Sequence, residues 1–257
     1  MKKLNILIAG LALFAAATIS SCSSISDQEF EINGVKFKMI AVEGGSFMMG
    51  ATPGQEKNVR DNEKPAHKVT VDNFLIGETE VTQDLWFAVM GNNPSHFKND
   101  QGNFPVENVS WNDVQTFIKK LNVITGQRFR LPFEAEWEYA ARGGKKSTDK
   151  KYAGSDNVDE VAWYSNNSAS KTHEVATKKA NELGIYDMMG NVWEWCEDWF
   201  GPYSEEEQVN PQGYINGDKF VERGSGWAND ISTRSISFRD GDKNDYKNFN
   251  GGFRLAL

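Results

Sequence analysis

Apolar and polar residues alternate in two stretches of the first third of the chain, which is the pattern of half-buried β-strands. In the first stretch the alternation continues on both sides of Asn33-Gly34, a dipeptide that favours the two-residue turn of a β-hairpin. In the second, residues 69–74 predict a further strand, and the polar, aperiodic segment 51–66 before it predicts a surface loop. The alternating apolar positions are Phe30, Ile32, Val35, Phe37 and Met39, and then Val69, Val71 and Phe74.

Three later segments, 82–91, 110–126 and 132–144, have features of short helices. Thr82 and Ser110 are favoured N-cap residues, and a glycine closes each of these two segments. The third segment has glutamates in its first turn and an arginine in its last, which suits the helix dipole. The second segment carries the clearest apolar stripe, formed by Val114, Phe117, Ile118 and Leu121.

Beyond residue 144 no long periodic segment remains, while glycine, asparagine and aromatic residues are frequent. The chain contains eight tryptophans and sixteen phenylalanines, which indicates a core of large side chains held by loops. Such loops need partners for their backbone polar groups. We therefore predict a single α+β domain with little regular secondary structure.

The amino terminus has the features of a secretory signal. A basic start precedes the apolar, small-residue-rich segment 4–19, which is shorter than the ~20 apolar residues of a membrane-spanning helix. The residues before Cys22 resemble the bacterial lipobox, which predicts a signal peptide over 1–21 and a membrane anchor on Cys22. The alternative is an ordinary signal peptide with an incidental cysteine. Residues 22–29 are then a tether, and 30–257 form the domain.

Charge and the reactive residue types narrow the function classes. The net charge of −8 argues against a nucleic-acid partner, which requires a concentrated basic face. Cys22 and Cys196 are the two cysteines of the chain, so Cys196 has no disulfide partner in the folded part and is expected to be a buried, unreactive thiol. His67, His96 and His173 are far apart and favour loop or core positions, and no Gly-x-Ser-x-Gly nucleophile motif occurs.

Successive sequence blocks resemble those of the formylglycine-generating enzyme family, from about residue 36 to the end of the chain. The resemblance implies a C-type-lectin-like variant fold with little regular structure, in agreement with the pattern above. The matching blocks, in order, are 44–50 (GGSFMMG), 78–82 (ETEVT), 105–111 (PVENVSW), 130–142 (RLPFEAEWEYAAR), 181–184 (NELG), 187–195 (DMMGNVWEW), 223–227 (RGSGW) and 252–255 (GFRL).

The same resemblance places the family's chemistry in doubt for this chain. The family's enzymes oxidise a cysteine of a sulfatase with dioxygen, using a cysteine pair between the last two blocks, and a thiolate pair suits copper(I). Counted back from Arg239, the places of that pair fall near Ile231 and Ile236. Isoleucine neither binds copper nor carries redox chemistry, so no copper is expected. Related iron oxygenases use histidines on an added helical domain, for which this chain has no room.

The resemblance further implies structural calcium. Asn191, Glu194 and the backbone carbonyl of Val192 match a calcium position of the family, and hard oxygen ligands on an irregular loop are what calcium takes. The alternative is that Asn191 closes a turn and Glu194 pairs with a nearby cation. A second calcium site would involve Asn166 or Asn167.

The segment 227–250 is the expected ligand-binding surface. It combines tyrosine and asparagine with charged residues, the mixture that binding loops favour, although a solvated loop has the same composition. The run before the ending 252–257 also resembles the variable regions of family members that are diversified by retroelements. The expected binding residues are Trp227, Asn229, Asp230, Arg234, Arg239, Lys243, Asn244, Tyr246, Asn248 and Asn250.

These features favour a lipid-anchored protein of the bacterial envelope, at the outer membrane or cell surface, that binds a protein or a glycan without catalysis. The first alternative is an oxidoreductase of the sulfatase-maturation type that acts on an exported protein. The second alternative is a scaffold lipoprotein of an envelope secretion or motility machine.

Overall fold

The computed structural model describes residues 25–53, 58–98, 103–232 and 234–257. The predicted signal peptide, Cys22 and the first residues of the predicted tether lie outside these ranges. Among the described residues, none belongs to a helix with the length and apolar character needed to cross a membrane.

Five strands form in the first third of the chain. The predicted hairpin is confirmed, because the first two strands pair antiparallel and turn at Asn33 and Gly34, whose φ angles of 50° and 86° are both left-handed. The single strand predicted over 69–74 is wrong, because Asp72 and Asn73 separate two strands that join different sheets. The strands are β1 (Gln28–Ile32), β2 (Val35–Val42), β3 (Gly45–Met49), β4 (His67–Val71) and β5 (Phe74–Gly77).

The three predicted helices are confirmed. Thr82 Oγ1 accepts a hydrogen bond from the Leu85 amide at 3.2 Å, and Ser110 and Asp113 cap each other's backbone amides. The helices are α1 (Gln83–Met90), α2 (Trp111–Thr125), α3 (Glu134–Ala141) and the one-turn α4 (Val158–Val161), with 3₁₀ turns at Asp61–Glu63 and Gly144–Lys146.

The second half of the chain adds the third sheet. The described strands form sheets with the orders β1-β2-β5, β3-β4-β7 and β10-β6-β8-β9. This mixture of small sheets and short helices confirms the predicted α+β fold with little regular structure. The added strands are β6 (Trp193–Trp199), β7 (Gln208–Val209), β8 (Phe220–Arg223), β9 (Arg239–Asp242) and β10 (Gly251–Gly252).

Large side chains fill the core, as the composition predicts. The apolar stripe of α2 is buried, and the Phe117 ring stacks on Trp86 of α1 at 5.1 Å between centroids. A second apolar cluster joins α3, the β3–β4 hairpin and the carboxyl-terminal third of the chain. Burial of these rings supplies the main driving force for folding.

Three buried arginines connect the loops to this core. Arg223 donates to Glu138 at 2.6 Å and to Glu134 at 3.2 Å, and Arg239 donates to both oxygens of Glu134 at 2.7 Å. Arg254 likewise forms two bonds with Glu194, at 2.5 and 2.6 Å. All three guanidinium groups are almost fully excluded from solvent, so each ion pair must be complete for the fold to tolerate it.

We predict that Arg223→Met lowers the free energy of unfolding by about 3–5 kcal/mol, because it leaves Glu138 and Glu134 buried with fewer partners. The matched control is Arg60→Met, which removes a half-exposed pair with Asp240 and should cost about 0–1 kcal/mol. Urea unfolding followed by tryptophan fluorescence measures both. Equal losses in the two variants would contradict the prediction.

Candidate functional site

The positions predicted for the family's cysteine pair lie in the apolar core. Ile231 and Ile236 are both buried and belong to the same cluster as Cys196. Cys196 itself is fully buried, and burial together with the nearby Asp198 and Glu134 carboxylates raises the pKa of its thiol well above the usual value. The predicted burial of this thiol is therefore confirmed, and its low reactivity stays a prediction.

An aromatic face lies where the carboxyl-terminal segment meets the loop after α1. It consists of His96, Phe97, Trp227 and Phe249. His96 stacks on Phe249 with 4.1 Å between ring centroids, and Phe97 meets the edge of Trp227 at 5.4 Å. The Trp227 indole donates to the Phe249 carbonyl at 2.8 Å, which fixes the two segments to each other.

Two asparagines connect this aromatic face to β6. Asn229 Oδ1 accepts hydrogen bonds from the Trp193 indole at 2.9 Å and from the Asn250 amide at 2.8 Å. The Oδ1 atom of Asn250 is buried and has no hydrogen-bond partner among the described residues. This oxygen is packed against Gly226 and excluded from solvent, so it belongs to the support of the aromatic face and not to its contact surface.

The rest of the predicted surface divides into exposed and packed residues. Lys243, Asn244, Tyr246 and Asp230 are exposed, and the Asp230 carboxylate caps the Ser232 amide. The half-buried residues contact neighbouring loops: Trp227, Asn229, Asn248 and Asn250, and Arg234, which donates to the Asn58 carbonyl and covers the Phe238 ring.

The placement of Arg239 at this surface is wrong. Arg239 is 1% exposed, and its guanidinium group is occupied by Glu134 and by the carbonyls of Asn62 and Gly201. Arg239 is the first residue of β9, which pairs with β8, and its guanidinium group forms core ion pairs away from the exposed part of the segment.

No sequence signal indicated that His96, Phe97 and Glu107 contribute to the aromatic face. Glu107 accepts the Phe97 amide at 2.8 Å, and its own amide donates to Ser95. The carboxylate therefore holds the loop that carries the two rings. Contacts between residues 96 and 249 depend on the tertiary fold, so no local sequence pattern could have shown them.

The predicted calcium ligands are occupied by protein groups. Both oxygens of Glu194 accept from Arg254, and one also accepts from the Trp137 indole at 2.6 Å. Asn191 Oδ1 accepts the His173 amide, and Asn191 Nδ2 donates to Glu80. Across the described ranges, no three His, Cys, Asp or Glu side chains form a metal-binding group. Asn191, Val192 and Glu194 thus do not fit calcium as a complete ligand set.

Two further buried acidic residues, Asp187 and Glu80, nevertheless lie near Glu194. Asp187 Oδ1 is buried and has no hydrogen-bond partner among the described residues, and burial raises the pKa of Asp187 to about 6. Burial, together with the charges of Asp187 and Glu194, raises the pKa of Glu80 well above its usual value. Arg254 donates to Glu194 and acts on Glu80 and Asp187 only through its charge, and this arrangement favours a proton or a bound cation.

The second predicted calcium position is a local turn. Asn167 Oδ1 accepts the Tyr164 amide at 2.9 Å, and its Nδ2 donates to the Ala162 carbonyl at 3.0 Å. Asn166 accepts from the Ser165 hydroxyl. These oxygens stabilise the turn and do not converge on an ion.

We predict that Glu107 makes stability depend on pH, because burial raises its pKa to about 7. The folded state then holds a proton that the unfolded chain releases, so stability falls as pH rises from about 4.5 to about 7. Glu107→Gln keeps an acceptor for the Phe97 amide and should make this fall smaller. Urea unfolding across this pH range measures it, with the exposed Glu31→Gln as control; parallel profiles for wild type and Glu107→Gln would disprove the role.

Comparison with known proteins agrees with this geometry. Residues 28–257 match the model of the sulfatase-modifying factor enzyme 1-like domain. The chain is similar to chaperone protein LppX of Paenibacillus barcinonensis, with 33% identity over 91% of this chain and 90% of that protein. It is also similar to the formylglycine-generating enzyme of Streptomyces coelicolor, with 29% identity over 84% of this chain and 88% of that enzyme.

Among solved structures, Treponema denticola variable protein 1 superposes with a TM-score of 0.81 and 33% identity, over 91% of this chain and 99% of the other. The resemblance seen in the sequence blocks is thereby confirmed over the whole domain. The chain belongs to the family of formylglycine-generating-enzyme (sulfatase-modifying factor) domains.

Proposed function

We propose that this protein is a non-catalytic member of its family that binds a partner through the aromatic face. The observation that carries the proposal is the composition of segment 227–253, which contains no cysteine and brings Trp227 and Phe249 together on one face. Without the family's cysteine pair, this region does not have the groups for the family's thiol chemistry. The remaining rings and amides have the chemistry of a binding surface.

A protein is the partner that this surface fits best. Phe249 and Tyr246 are 48% and 43% exposed, and exposed aromatic rings are typical anchors of protein–protein interfaces. Lys243, Asn244 and Asp230 supply a polar rim around them. The name of the relative LppX, a chaperone protein, supports a protein partner, while a glycan is the other class that such a surface accepts.

The proposed location is the bacterial envelope, with the domain attached through a lipid on Cys22. The lipobox-like residues before Cys22 support this anchor. The described domain begins its first strand at Gln28, so only a short segment separates the anchor from the fold. The outer membrane or the cell surface remains our prediction for the final location.

Two alternative functions of the same fold have requirements that distinguish them from the proposed binding function. An oxidoreductase acting on an exported protein would need a redox centre other than Cys196, whose thiol is buried. A scaffold in an envelope machine would bind one partner in fixed stoichiometry. Diversification of the segment 227–250 by a retroelement would predict a template repeat beside a reverse transcriptase gene, and the sequence resemblance alone suggests it.

We predict that Phe249→Ala and Trp227→Ala reduce cross-linking of the anchored protein to its envelope partner in intact cells by at least about tenfold, because each removes a central ring. Phe87→Ala, which removes an exposed ring of α1, is the matched control and should leave the cross-link unchanged. Quantitative mass spectrometry of the cross-linked products gives the readout. Conversion of a cysteine-containing sulfatase peptide to formylglycine with copper and oxygen would overturn the non-catalytic proposal.

We also propose structural calcium at the buried carboxyl group of Asp187; the proposal does not depend on Glu194, because Arg254 occupies both Glu194 oxygens. The unpaired Asp187 oxygen supports it, since a cation would satisfy this atom. Calcium at 100 times its dissociation constant should stabilise the fold by about 2.7 kcal/mol. Thermal unfolding in calcium, magnesium and chelator should show a calcium-specific rise that Asp187→Asn abolishes and Asp218→Asn, an exposed control, retains; equal melting temperatures would refute the site.

A further inference from the structure

A cavity of about 310 Å³ lies at the amino-terminal end of α3, where β4 begins and β6 ends. The loop 200–214 passes over it and contributes much of its lining. We call it the His67 cavity. It shares no lining residue with the aromatic face, and nothing in the proposed binding function uses it.

His67 contributes a polar ring to the lining of this cavity. The residue is 2% exposed, and its Nδ1 lies 3.2 Å from the Pro65 carbonyl, which can only accept a hydrogen bond. The ring is held against Tyr203 at 5.0 Å between centroids. His67 is therefore fixed in place at the cavity wall by contacts on both sides.

Asp198 supplies a second polar group. Its Oδ2 accepts the backbone amide of Glu134 at 2.7 Å, and no described residue donates to its Oδ1. Burial and the adjacent Glu134 charge raise the pKa of Asp198 well above the usual value. Asp198 and His67 thus give the cavity two polar side chains, a carboxyl group and an imidazole ring.

The charged groups behind the cavity neutralise one another. Glu134 accepts from Arg239 through both oxygens, from Tyr203 at 3.0 Å and from Arg223 at 3.2 Å. Arg239 also donates to the carbonyls of Asn62 and Gly201. The charges of Glu134 and Arg239, which both line the cavity, are thus paired within the protein, and this pairing favours a neutral ligand.

The walls are aromatic and set in place by close backbone contacts. Trp199, Tyr203 and Tyr214 line the cavity, with the amides of Gln208 and Gln212. The Tyr214 hydroxyl donates to the Pro202 carbonyl at 2.8 Å, and Tyr214 forms a β-bridge with Trp199. A Cβ on Gly213 would lie 2.7 Å from the Asp198 Cβ, so only glycine lets the loop approach this closely. The cavity is therefore formed before any ligand enters.

We propose that the His67 cavity binds one neutral sugar unit, free or at the end of a glycan. A sugar ring presents apolar C–H faces to aromatic walls and hydroxyl groups that both donate and accept. The first property matches Trp199 and the tyrosines, and the second matches the Asp198 and His67 pair. The volume is near the lower end of the range for small-molecule sites, which suits a single ring.

The test is saturation-transfer NMR of the whole protein with glucose, galactose, mannose and N-acetylglucosamine. At least one of these sugars should receive saturation from the protein. His67→Phe keeps a ring against Tyr203 but removes the ring nitrogens, and it should weaken binding at least about fivefold. Asp198→Asn keeps a polar group of similar size and should retain binding, whereas Asp198→Leu should abolish it.

Gln208→Ala at the cavity wall provides a variant whose folding should not be affected, and it should also weaken binding. Phe249→Ala on the aromatic face should bind sugar as the wild type does, so the sugar site and the proposed partner-binding function fail independently. No saturation transfer to any of the four sugars overturns the proposal. So does undiminished binding by a folded His67→Phe, or tighter binding of the charged analogues glucuronate or glucosamine.

Discussion

The buried guanidinium–carboxylate pairs are the interaction on which the rest of this fold depends. A domain with so few long strands leaves many loop carbonyls without backbone partners, and the arginines supply them. Arg254 donates to the carbonyls of Gly77 and Tyr186, and Arg223 donates to those of Ser237 and Ile236. Each guanidinium group therefore joins loops that are distant in sequence, and the paired glutamates make its burial tolerable.

This arrangement separates the binding segment from the core. Arg223 precedes the segment 227–250, Arg254 follows it, and Arg239 anchors its middle. Ile231 and Ile236, which lie between Arg223 and Arg239 in the sequence, add apolar contacts with the core. Because these buried residues hold the segment, the exposed side chains between them can change without a large cost in stability. Such separation suits a surface whose partner specificity differs among relatives.

Features that depend on neighbouring residues could be predicted from the sequence, whereas contacts between distant residues could not. The Asn33-Gly34 hairpin and the caps Thr82 and Ser110 depend on neighbours a few residues away, and these predictions were confirmed. Strand β6 was missed because nearly all its side chains are buried, so it shows no alternation. Arg239 was placed on the surface because arginine is normally exposed, and only its distant partner Glu134 explains the burial.

One strand positions both proposed sites. β6 carries Trp193 at its start, bonded to Asn229 beside the aromatic face, and Asp198 near its end, in the His67 cavity. At about 3.3 Å per residue, these residues lie roughly 16 Å apart along the strand. The strand is central in its sheet, between β10 and β8, so this spacing is rigid. Both proposed sites are therefore held by the same strand.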